Sequence, residues 1–257
     1  MEQAFDSYER IAQVTEAGFN EHYGGTFTGT TMTYPLSTTL MGDYRGQFKR
    51  ISRTTFVREG ILATDQLKVT RQGRFVDPAA AELFSFHMVS GPRHGLEQSQ
   101  SLFISRSLAE TLFGTDDPIN RTVRLDNRDD VTITGVFEDF PENSEFYDHH
   151  YFAPWSLYLA SNKWIEERAV NDWRNHFLNI YVEIPKGKTF AGVGEQIKGA
   201  LQFAPEDMEG AKASGTHLYL YPMSKWHLHP PWLQTGEIEP VLMLKVGGRD
   251  SGHFRFV

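Results

Sequence analysis

The stretch that decides the fold is FISRSLAETLFGTDDPINRTVRLDNRDDVTITGVFEDFPENSEF, residues 103–146. Its first part predicts a helix. Ser107 and Glu110 stand at capping-box spacing, and Ser105 is a rival N-cap. Leu108 and Leu112 lie one turn apart on one face. Gly114 suits the left-handed conformation that ends helices. A hairpin follows, with β-branched residues in 122–125 and 131–137 and the polar turn Asp126-Asn127-Arg128-Asp129 between them. Pro141-Glu142-Asn143-Ser144 marks the next turn.

Upstream of this stretch, residues 11–15 read as a strand and the Gly- and Thr-rich residues 24–33 as a loop. Pro35 is placed to open a helix. Leu36, Leu40, Tyr44 and Phe48 recur at its spacing, with Gly42 and Gly46 against it. Strand-like segments cover 50–57 and 66–76. Residues 77–84 predict a short helix with Asp77 as N-cap, and Ser90-Gly91-Pro92 stops that region. Downstream, Leu178, Ile180, Val182 and Ile184 alternate strictly, as on one buried face of a strand. Pro185-Lys186-Gly187 turns the chain. Phe190, Val193, Ile197 and Leu201 then mark an amphipathic helix, and Leu218 and Leu220 another strand. Strand–helix–strand order thus occurs near both ends. It predicts an α+β fold: one part built from both ends of the chain, with a smaller part inserted between them.

The chain has 257 residues, enough for one large domain or two small ones. Its 19 Phe, 10 Tyr and 5 Trp supply a large apolar payload, which argues for a packed interior. With 25 basic and 33 acidic residues the net charge is −8, which disfavours nucleic-acid binding. The absence of cysteine excludes disulfides, zinc–thiolate sites and Cys nucleophiles. No apolar run is long enough to span a bilayer, and the N-terminal residues lack the pattern of a secretory signal.

The motifs that invite chemistry have plainer readings. His149 and His150 are neighbours and would point to opposite faces of a strand. His227 and His229 would share a face and could bind zinc only with a carboxylate from elsewhere; surface histidines beside Pro230-Pro231 are the simpler reading. Lys186-Gly187-Lys188-Thr189 lacks the upstream glycine of a phosphate loop, because Val182 stands there. Asp250-Ser251-Gly252 has no base with a positioned partner. Glu138 and Asp139 read as a solvated strand end. No catalytic, metal or cofactor site is expected. Trp155, Tyr158, Trp164 and Trp173 form an aromatic stripe, read as core or interface packing and as the candidate interaction surface.

The opening stretch also resembles a hallmark of the MacB-like periplasmic core domain of MacB/FtsX-type ABC transporter permeases. That family has a strand leading into a Ser-x-x-Leu-Ala-x-x-x-Phe-Gly helix, an Asp-Pro-Ile-Gly turn and a hairpin ending in Gly-Val. The matching residues are Ser105, Leu108, Ala109, Phe113, Gly114, Asp117, Pro118, Ile119, Gly135 and Val136. Asn120 replaces the usual Gly; Asn tolerates a left-handed turn. FVDPAAAELFSF (75–86) and YPMSKWHLH (221–229) resemble two further family segments, the second in the version from Bacteroidetes-like bacteria. The resemblance implies a porter-like subdomain from residues 1–58 and 150–232, an inserted sabre-like subdomain from 59–149, and a tail, 233–257, leading towards a membrane helix outside this chain. It implies a location on the periplasmic side of the bacterial inner membrane. The implied partners are a second permease chain, a cytoplasmic ATPase and a periplasmic adaptor or substrate protein. The implied role is non-enzymatic: transmitting ATP-driven motion in export or efflux. The alternative is a free-standing periplasmic module that binds a peptide, a lipoprotein or a hydrophobic small molecule, and a third reading is a hydrolase of unrecognised type.

Overall fold

A computed structural model describes residues 7–20, 25–202 and 208–226 of the chain. The strands are β1 (Ile11–Asn20), β2 (Gly25–Gly29), β3 (Met32–Thr33), β4 (Arg50–Thr54), β5 (Arg58–Ala63), β6 (Lys68–Val76), β7 (Met88–Ser90), β8 (Ser101–Ser105), β9 (Thr122–Leu125), β10 (Asp129–Phe137), β11 (Tyr151–Pro154), β12 (His176–Glu183) and β13 (His217–Pro222). The α-helices are α1 (Tyr34–Met41), α2 (Ala80–Leu83), α3 (Arg106–Phe113), α4 (Trp155–Ser161), α5 (Phe190–Ile197) and α6 (Met208–Ala213). The fold is α+β, and none of the described helices is long and apolar enough to cross a membrane.

The hallmark stretch folds around β8, α3, β9 and β10. Ser105 caps α3: its hydroxyl accepts from the Leu108 amide at 3.2 Å, so the rival cap displaces Ser107. Gly114 closes the helix at φ +63°. Asn120 also sits in the left-handed region, at φ +63°, as its turn requires. Asp126 and Asn127 have φ +54° and +57°, which makes the β9–β10 connection a tight hairpin turn.

Six strands close on themselves in the order β11–β8–β10–β9–β5–β6, because β6 pairs back to β11. Closure leaves this ring without a free edge. Its interior holds Leu62, Phe75, Leu102, Ile104, Val123, Leu125, Val131, Ile133 and Tyr151, with Leu108 and Leu112 of α3 packed against them. Tyr151 fits because Gly60 and Gly73 lack side chains. A Cβ at either would lie 2.4 Å from an atom of Tyr151. The register of β10 against β8 slips between Ile133 and Gly135. The slip leaves Val136 on the ring side and turns Phe137 to the opposite cluster.

The remaining strands extend the sheet from β6 through β4, β12 and β1 to β13. Leu178, Ile180, Val182 and Ile184 face a second core, with Val14, Leu36, Leu40, Val193, Ile197, Leu218 and Leu220. A third, largely aromatic cluster spans both parts. It contains Phe84, Phe86, Phe137, Phe146 and Phe152 from the middle of the chain and Tyr181, Tyr221 and Trp226 from its later part. Fully burying a side chain of Phe size is worth about 1.5–3 kcal/mol, so this cluster joins the two parts firmly.

Several local expectations shift. α1 stops at Met41, with Gly42 at its C-cap, and Thr33 caps its start. Tyr44 and Phe48 follow in a separate short turn yet still pack on the same core. The predicted helix over 77–84 shortens to α2, because the Asp77 carboxylate is engaged by Arg53 rather than by a helix start.

Candidate functional site

The first and last described residues lie at one corner. The short turns Tyr8–Arg10 and Met223–Lys225 pack together, and Ala12 of β1 stands opposite Pro222 of β13. Glu183, opposite Ile11 at the end of β12, lies beneath this corner. Its carboxylate is sealed from solvent and meets Arg10 Nη2 at 2.8 Å, Lys49 Nζ at 3.0 Å and Arg50 Nη1 at 2.5 Å. Burial alone would raise its pKa. The hydrogen bonds from Arg10, Lys49 and Arg50 outweigh burial and pull it down to about 2. The charge is therefore permanent at physiological pH, and it ties the start of β1 to β4 and β12.

A second polar knot lies where the ring meets the rest of the sheet. β4 and β6 run side by side there, with Thr54 opposite Val76. Arg53 donates its backbone N–H to Asp77 Oδ2 at 2.7 Å, Nε to the same oxygen at 2.9 Å and Nη2 to Oδ1 at 2.8 Å. Asp77 returns its own amide to the Arg53 carbonyl at 3.1 Å. The guanidinium also lies over the rings of Trp155, at 5.2 Å, and Tyr34, at 5.6 Å.

Among the described residues, those that suggested chemistry are engaged structurally. His149 is buried between Phe146 and Phe152 and accepts from Arg74 Nε at 2.8 Å. Burial, and then the Arg74 charge, push its pKa down to about 3, so it stays neutral. His150 points the other way. Its Nδ1 lies 3.1 Å from Ser105 Oγ, 3.4 Å from Ser107 Oγ and 3.8 Å from Asp139 Oδ1. All three meet the same ring nitrogen, whereas a catalytic relay needs nucleophile and acid on opposite nitrogens. Asp139 caps α3 by accepting from the Ser107 amide and hydroxyl, and Glu138 pairs with Arg106. These acids thus anchor the helix start, where negative charge is favoured. Lys186-Gly187-Lys188-Thr189 forms a turn in which Thr189 caps α5. His227, His229 and Asp250-Ser251-Gly252 lie outside the described residues, and among those described no group of His, Asp and Glu is placed to hold a metal.

The aromatic stripe is divided. Trp155 is buried beneath Arg53, and Tyr158 packs on Trp155 at 5.2 Å and on Phe75 at 5.2 Å. Trp164 meets Phe177 edge-on at 4.8 Å, and Trp173 is half-buried against the core beside β12. The ion clusters around Glu183 and Arg53 escaped the sequence reading. The one available signal was a charged residue within an apolar strand pattern, as with Glu183 between Val182 and Ile184.

The family model for the MacB-like periplasmic core domain matches residues 1–200. The chain belongs to that family. Solved structures carry the same fold. A domain of a putative permease from Porphyromonas gingivalis is 22% identical, with a TM-score of 0.64, covering 85% of this chain and 91% of that one. The periplasmic region of MacB from Actinobacillus actinomycetemcomitans is 12% identical, with a TM-score of 0.54, covering 88% and 96%. The extracellular domain of the noncanonic ABC-type transporter YknZ from Gram-positive bacteria is 14% identical, with a TM-score of 0.54, covering 81% and 98%. No curated protein matches the sequence. This MacB-like periplasmic core domain is therefore a transporter-family module.

Proposed function

We propose that the domain transmits ATP-driven motion on the periplasmic side of an ABC transporter permease, without catalysing a reaction itself. One observation carries this reading: the first and last described residues share one corner, and Glu183 there ties the start of β1 to β4 and β12. Helices attached at that corner would turn the whole body together. In this reading the porter-like part comprises residues 1–58 and 150–232 and the sabre-like part 59–149. The working partners are a second permease chain, a cytoplasmic ATPase and a periplasmic protein that receives the motion. Tyr158, Trp164 and Trp173 remain the proposed contact surface for the periplasmic partner, since Trp155 is sealed.

The chain contains no cysteine, so a spin label at Asp65→Cys, on the exposed β5–β6 turn, gives one site per copy. The complete permease would be reconstituted with its ATPase in lipid nanodiscs. The distance between the two copies' labels should change when ATP binds. An identical distance in all nucleotide states would remove the transmission reading.

A further inference from the structure

We infer that Arg53 welds the six-stranded ring to the rest of the sheet, so that the two move as one piece. The inference rests on the transmission reading above and names the residue through which motion would pass.

The geometry carries it. β6 and β11 are adjacent parallel strands of the ring, and they end together, with Val76 opposite Pro154. The next residue of each is a partner of the same guanidinium: Asp77 after β6 and Trp155 after β11. Arg53 itself belongs to β4, which pairs with β12 of the other part. One side chain therefore grips the ends of both ring strands from outside the ring. Its side chain is 13% exposed and that of Asp77 10%, so water competes little for the pair. The two-point contact fixes orientation as well as distance, which a lysine would not do. The strand contact it reinforces is short: Thr55 donates to the Phe75 carbonyl at 2.9 Å and Asp77 to Arg53 at 3.1 Å. Such a seam would flex unless its side chains locked it. The aromatic cluster adds packing across the same boundary, as where Phe84 meets Tyr181 edge-on at 5.3 Å, and the paired fork adds directed hydrogen bonds to it.

The test uses the isolated domain carrying labels at Asp65→Cys in the ring and Lys188→Cys in the other part, both exposed. With Arg53 present, the distance distribution should be single and narrow. Arg53→Gln should broaden it and should lower hydrogen-exchange protection of the Thr55 and Asp77 amides at least about tenfold, as expected when a buried charged pair is lost. Arg53→Lys should fall between the two. If Arg53→Gln does not fold, Arg53→Lys and Asp77→Asn decide by the same readouts. Unchanged width and protection in folded variants would overturn the weld. They would leave the nucleotide-dependent movement of the whole domain, measured separately above, as it stands.

Discussion

Glu183→Gln tests the clasp most directly. A carboxyl held at about 2 in the fold, against its ordinary 4.5, is worth about 3.4 kcal/mol by proton linkage. The carboxylate is sealed, but the side chains of Arg50, Arg10 and Lys49 are 26%, 33% and 45% exposed, so water and salt screen the pairs. That discount brings the expected loss to about 2 kcal/mol at neutral pH. The sign follows from the lowered pKa. The stabilisation is complete above the ordinary carboxyl value and drains as the pH falls from there through about 2. Glutamine cannot ionise, so the gap between wild type and variant should close over that window. Urea unfolding followed by tryptophan fluorescence at several pH values measures the gap, and acid effects common to both proteins cancel in it. A gap that stays constant from about pH 7 to pH 3, or that is below about 0.5 kcal/mol at neutral pH, would refute the clasp as argued.

Other outcomes follow from sites already described. His149 is held neutral to about 3, against 6.5 unfolded, so it costs stability as pH falls through that interval; His149→Gln should flatten the slope of stability against pH between about 6 and 4. The Tyr151 hydroxyl is buried with no hydrogen-bond partner among the described residues. Tyr151→Phe should therefore be neutral or raise stability by about 1 kcal/mol in chemical denaturation. Gly73→Ala would force a methyl against Tyr151 and should cost about 2–3 kcal/mol in the same assay. At Asn120, φ +63° predicts that Gly raises the melting temperature slightly or leaves it unchanged, while Val lowers it by several degrees.

The legible parts of this fold were those that neighbours in sequence decide. The helix start at Ser105 or Ser107, the stop at Gly114, the left-handed Asn120 and the hairpin turn at Asp126-Asn127 each depend on a few adjacent residues, though the choice of Ser105 as cap came only with the fold. The alternation from Leu178 to Ile184 showed one buried face of β12 but not the other, where Tyr181 and Glu183 are buried too. Strand β5 was missed because REGILA carries a glycine and two charges. It is held by pairing with β6 and β9 and by the space Gly60 leaves for Tyr151. Arg53 and Asp77 lie 24 positions apart, and Arg10 and Glu183 lie 173 apart. No local pattern links such partners, since their meeting depends on strand order. The same nonlocality took Asp77 from its expected role as a helix cap.

The shared corner also determines how the domain would respond to load. Because β1 and β13 run antiparallel from it, drawing their ends apart would act on the pair as on a zipper. The rungs would give way one after another, each resisting with only about 1 kcal/mol. Moving both ends in the same direction would leave every rung unloaded and carry the body whole. Glu183, opposite Ile11 on the far side of β1, would hold the start of β1 to the sheet while β13 peeled away.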